Sequence, residues 1–225
     1  VGVLAGDAEL LRTAGRLLLR GIGRTASVDR LVLAVDIASA CEARVVRLMW
    51  QTLESMAPAI PDIEQAEIAG GAIVAWRSAF ATIQCFEVQS TLLPFIQANH
   101  ISLGPGIKER FEMAAGVSRE EADEARRVRV GVTSQLKSIL QPGTLIVLPT
   151  TPTPPPERGT PDGPAVAAYR TRTLQNTCLA GLAGLPQISV PIGEADGYPV
   201  GLSFIAWEGG DESLLDFAVG LSDLL

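Results

Sequence analysis

The apolar positions of this chain follow two rhythms, one recurring every three to four residues and one of short unbroken runs. Their alternation predicts a layered α/β fold. Leu10, Leu11, Ala14, Leu17 and Leu18 recur at helical spacing behind Asp7, which stands where an N-cap belongs. Leu31–Val35 is a compact run of the kind buried on both faces of a sheet. Val45, Leu48, Met49, Leu53 and Met56 then predict a helix that Pro58 and Pro61 end. From about Ala66 a long helical stretch places Trp76, Phe80 and Ile83 in one stripe, and Pro94 kinks or divides it. Ser118 and Glu121 form a capping box ahead of Ala125, Val128, Val132, Leu136 and Ile139. The charges of that helix suit its dipole, with Glu120, Glu121, Asp123 and Glu124 at the start and Lys137 near the end.

The character of the chain changes at Pro142-Gly143. Thr144–Leu148 reads as a buried strand running into Pro149–Pro156, a segment too rich in proline for a helix or a central strand and therefore an extended connection. A helix is expected over Pro164–Leu182, with proline in its first turn and glycines at its end. Gln187–Ile192 and Val200–Ala206 read as strands around Asp196-Gly197, giving a hairpin with a loop longer than two residues. Asp211 is expected to cap a final helix bearing Leu214, Leu215, Ala218 and Leu221.

Composition narrows what such a fold does. A chain of 225 residues, 47% hydrophobic, can bury a substantial core. With 19% charged residues and a net charge of -7, it advertises no basic surface for nucleic acid. No apolar run approaches the roughly 18 residues a membrane span needs. Cys41, Cys85 and Cys178 are scattered, which suggests neither a disulfide framework nor a zinc site and fits a reducing, cytoplasmic setting. Val1-Gly-Val-Leu4 has neither an initiator Met nor the order of a signal peptide, and it reads as the middle of a longer chain.

Four stretches carry a specific resemblance. Leu148-Pro-Thr-Thr-Pro152, Tyr169-Arg-Thr-Arg-Thr-Leu174, Ala183-Gly-Leu-Pro-Gln-Ile-Ser-Val-Pro-Ile192 and Gly197-Tyr-Pro-Val-Gly-Leu-Ser-Phe-Ile205 resemble, in order and spacing, the closing third of amidase-signature hydrolases. Gly2-Val-Leu-Ala5 and Ser102-Leu-Gly-Pro-Gly106 resemble the same family more loosely, so the likeness covers essentially the whole chain. It implies a mixed sheet wrapped by helices, of which residues 1–225 form a single incomplete domain, the C-terminal part. It also implies hydrolysis of a carboxamide C–N bond, with no cofactor and no metal.

In that family the nucleophile is a Ser in a Gly/Ser-rich loop, activated through a second Ser in a cis peptide by a Lys base. A Ser hydroxyl needs a neighbour to take its proton, and Gly-rich backbone N–H groups can hold the oxyanion. This sequence has no Ser-Ser pair and no Gly-Gly-Ser run, and its two lysines, Lys108 and Lys137, read as surface residues of polar helices. No catalytic residue is therefore assigned. The resemblance implies that an N-terminal section preceding Val1 carries the nucleophile, so that section and a small-molecule amide substrate are the implied partners. The alternatives are a non-catalytic scaffold or binding remnant of the fold, or an amidotransferase subunit.

Other chemistries are weaker. His100 is the single histidine, and a Cys85–His100 pair is outweighed by Cys85 acting as a small hydrophobe in a helix. Gly70-Gly71 lacks the further glycine and the Lys of a phosphate loop. The proline cluster reads as a connector before it reads as a ligand for an aromatic groove. The resemblance points instead to the helix before Ala183 as a pocket wall. Thr171, Leu174 and Cys178 lie on one side of it at i, i+3 and i+7. Trp76, Phe80 and Gln84 form a second candidate substrate-binding set, and for both sets core packing is the competing reading.

Overall fold

A computed structural model describes residues 2–19, 25–60, 62–104, 106–222 and 224. Val1 at the chain start, Pro61 at an expected helix end and Pro105 within the loosely matching motif lie outside the described residues.

The sheet grows outward from β1 (Arg30–Ala34), whose Leu31, Val32, Leu33 and Ala34 are at most 2% exposed. It is flanked on both sides by parallel neighbours, β2 (Asp62–Ala66) and β3 (Thr144–Pro149), and β3 is buried along its whole length. That double burial explains why both central runs are continuously apolar instead of alternating. The hairpin β4 (Gln187–Ala195) and β5 (Tyr198–Ile205) completes the order β2-β1-β3-β5-β4, with β5 antiparallel to β3 and β4 at the edge. The result is the expected mixed sheet.

Helices surround it. They are α1 (Ala8–Leu18), α2 (Val35–Ala38), α3 (Ala43–Met56), α4 (Ile73–Thr91), α5 (Leu93–Ala98), α6 (Ile107–Ala115), α7 (Arg119–Ile139), α8 (Pro164–Ala183) and α9 (Asp211–Ser222). α4, α7 and α8 pack on one another, and α3 and α9 pack against β4. Asp7 accepts from Leu10 N at 2.7 Å and Ser118 from Glu121 N at 3.2 Å, so both local cap signals act as their sequences imply. Pro94 sits in the first turn of α5, where its missing N–H is tolerated, and the long helix is divided just before it.

Several expectations are corrected. Residues 62–66 form an edge strand where no strand was expected, because Asp62-Ile-Glu-Gln-Ala shows little apolar alternation. β2 needs little, since one neighbour and the pairing of Arg30 with Asp62 and Glu64 hold an exposed edge. The helix expected from about Ala66 begins at Ile73, because the Asp36 carboxylate collects the N–H groups of Ile68, Ala69 and Gly70 at 3.0, 2.7 and 3.1 Å and fixes a loop there. Val35 opens α2 instead of ending β1. The hairpin loop has two residues, Asp196 and Gly197, since Ala195 pairs directly with Tyr198. Both turn residues have positive φ, as a type I′ turn requires. Asp211 is the first residue of α9, and Gly210 precedes it and accepts from Leu214 N.

Candidate functional site

The motif-bearing helix α8 is fastened at its middle to the sheet. Buried Asn176 donates from Nδ2 to the Pro149 carbonyl at 2.9 Å, and Arg172 donates to the Ala40 carbonyl at 2.7 Å. The stretch of α8 before that anchor faces α4 and α6 across an open groove of about 520 Å³. Thr171 and Leu174 line this groove from α8, and Gln84 and Cys85 line it from α4.

Phe80 and Gln84 also share a smaller cleft of about 200 Å³ with Arg129 and Gly181. The Phe80 ring reaches α8 because position 181 has no side chain, since a Cβ there would stand 2.7 Å from Phe80 Cε2. Trp76 and Cys178 lie in the core, 5% and 0% exposed. Of the six residues singled out from the sequence, Thr171, Leu174 and Gln84 meet at one groove, Phe80 joins Gln84 at its neighbour, and Trp76 and Cys178 pack behind them.

All three thiols are shifted away from the thiolate. Burial pushes the Cys178 thiol up to about 12, against weaker opposing effects of its own backbone and of Arg77. Burial likewise raises Cys41, partly offset by the Asn176 amide, and burial raises Cys85. A nucleophilic thiolate needs the opposite shift. His100 is exposed in the turn that follows α5. Lys108 and Lys137 form surface ion pairs, with Glu112 at 3.7 Å and Glu208 at 2.6 Å.

Two features escaped the sequence. Thr150 Oγ1 lies 2.7 Å from Ser189 Oγ and 2.9 Å from the fully buried Ser203 Oγ, which also accepts from Gln187 Nε2 at 2.9 Å. None of the hydrogen-bond partners among the described residues is a base, and these contacts satisfy the buried Ser203 hydroxyl. Arg77 and Arg110 line the groove beside Gln84. A signal for Arg77 was present, because Arg77, Ala81, Gln84 and Val88 recur on one face of α4, next to the Trp76 stripe.

Comparison with known proteins fixes the family. Residues 25–215 match the amidase family. Amidase 1 of Arabidopsis thaliana is 30% identical over 158 residues, 70% of this chain and 37% of that protein. A glutamyl-tRNA(Gln) amidotransferase subunit from Lactococcus lactis is 30% identical over 129 residues, 55% of this chain and 26% of that protein. A crystal structure of an amidase superposes with a TM-score of 0.79 at 16% identity, over 97% of this chain and 51% of that one, so the architecture is shared. The chain thus spans well under half the length of these curated relatives. The match over residues 25–215 establishes that this chain belongs to the amidase family.

Proposed function

We propose that this chain is the C-terminal part of an amide C–N hydrolase, one incomplete domain that supplies sheet scaffold and one wall of the substrate pocket. The serine nucleophile, its relay serine and the lysine base then lie outside residues 1–225. The observation that carries the reading is the placement of the family motif at Tyr169–Leu174, since its Thr171 and Leu174 line an open groove opposite Gln84 instead of filling the core. In this reading Leu174 bounds the acyl portion of a small-molecule amide, the Gln84 amide hydrogen-bonds the substrate, and Trp76, Phe80 and Cys178 hold the wall from behind. The ion-paired surface lysines support a base located elsewhere. No described helix is long and apolar enough to cross a membrane. Three free cysteines favour a reducing, cytoplasmic setting.

Similarity to the Lactococcus lactis amidotransferase protein favours a second reading, in which the fold serves a larger amidotransferase complex. The test is turnover of a panel of small and large carboxamides, glutamine included, by the full-length protein and its Leu174→Trp variant. Hydrolysis across the panel is expected, with Leu174→Trp lowering kcat/KM for large acyl groups at least tenfold more than for small ones, about 1.4 kcal/mol of transition-state binding. Turnover of glutamine alone favours the amidotransferase reading. A Leu174→Trp variant that loses stability yet keeps the same selectivity leaves Leu174 as core.

A further inference from the structure

The groove between α4, α6 and α8 differs in charge from the rest of the molecule. The chain carries a net charge of -7, yet the groove is lined by Arg77, Arg110 and Arg170 and, among the described residues, by no acidic side chain. Arg170 is held by Asp162 at 3.0 Å. Arg77 Nε is buried with no hydrogen-bond partner among the described residues, and neither Arg77 nor Arg110 forms an ion pair there. An arginine at a groove wall that has no carboxylate partner among the described residues is available to an anion arriving from outside.

We infer that this groove binds a small molecule carrying a carboxylate on an apolar body, with Arg77 and Arg110 holding the carboxylate and Leu174, Phe111 and Val88 contacting the body. The planar guanidinium fork matches a two-oxygen acceptor, and the apolar walls add affinity for the attached chain. The inference deepens the proposed function, since it rests on reading this groove as the substrate pocket and gives the substrate class as carboxylate-bearing amides.

The test is calorimetric titration of the full-length protein with hexanoate, hexanamide and inorganic phosphate. Hexanoate is expected to bind at least tenfold tighter than hexanamide. Arg77→Gln should weaken hexanoate binding tenfold or more, Arg110→Gln several-fold, and the surface variant Arg127→Gln not at all. Arg110 is exposed, so its replacement reads the site even where Arg77→Gln fails to fold. Equal binding of hexanoate and hexanamide, unchanged hexanoate binding in both groove variants, or phosphate binding as tightly as hexanoate would overturn the inference. Turnover of neutral amides without arginine-dependent hexanoate binding removes the inference and leaves the hydrolase reading standing. Arginine-dependent hexanoate binding without any amide turnover leaves the carboxylate site standing and overturns its assignment to amide substrates.

Discussion

Three acidic or hydroxyl side chains, Ser118, Glu121 and Asp36, show how single residues set this fold at different ranges. Ser118 and Glu121 cap α7 reciprocally, Ser118 Oγ accepting from Glu121 N and Glu121 Oε2 accepting from Ser118 N at 2.7 Å. Ser118→Ala is expected to cost about 1 kcal/mol in chemical denaturation and to leave amide turnover unchanged. A loss of turnover at unchanged stability would place Ser118 in the chemistry instead. The backbone N–H of Ser118, and then its hydroxyl, hold the Glu121 carboxyl below its ordinary range. Its folded value is therefore lower than its unfolded one. The stabilisation is present above the unfolded value and is lost as pH falls through the folded value, so Glu121→Gln should flatten this part of the acid loss. Asp36 works over a longer range, its carboxylate accepting three N–H groups from the β2–α4 loop. Asp36→Ala is expected to destabilise the protein by roughly 3 kcal/mol, because Ile68 is fully buried and its N–H is left unmatched. Thermal melts within experimental error of wild type would refute that role. The Ser118 cap was legible because its partner is three residues away. The loop fixed by Asp36 was not, because its acceptors and donors lie more than thirty residues apart.

At the scale of elements, legibility followed burial. β1 and β3 announced themselves as apolar runs, and α7 and α8 through caps, proline and glycine. β2 stayed hidden because an edge strand facing solvent tolerates Asp62, Glu64 and Gln65, so its pattern carries no alternation. In the candidate site, Thr171 and Leu174 were singled out by the resemblance together with their helical spacing, and Gln84 as the polar continuation of the Trp76 and Phe80 stripe, and all three line the groove. Arg77 was missed because its neighbour Trp76 offered the more obvious stripe, and the Thr150–Ser189–Ser203 contacts were missed because they join the residue after β3 to β4 and β5, which only the sheet brings together. The hairpin turn gives the element-scale prediction. Gly197 has φ of 80°, so Gly197→Ala should cost about 1–2 kcal/mol and Gly197→Asn less, as read by urea midpoints. An alanine variant as stable as wild type would contradict the two-residue turn.

Across the whole molecule, the apolar surface is unevenly distributed. Leu17 and Leu18 are 81% and 61% exposed although their helical rhythm predicts a buried face, and none of the described side chains of α1 is buried. Beside α1 lies an open groove of about 590 Å³, bounded by α9 and the start of β4. β4 has β5 as its strand partner and no second partner among the described residues. An uncovered apolar face next to a sheet edge is what a fold presents when part of its surface is meant to be covered. That is consistent with a chain spanning 51% of a structurally similar amidase. The central claim is that the reactive serine lies outside residues 1–225. It is tested most directly by treating the full-length protein with a serine-directed covalent probe and mapping the labelled peptide. The account predicts labelling of a serine beyond these 225 residues, with turnover abolished when that serine is replaced. Labelling of a serine within them, such as Ser189, with turnover lost on its replacement, would contradict it.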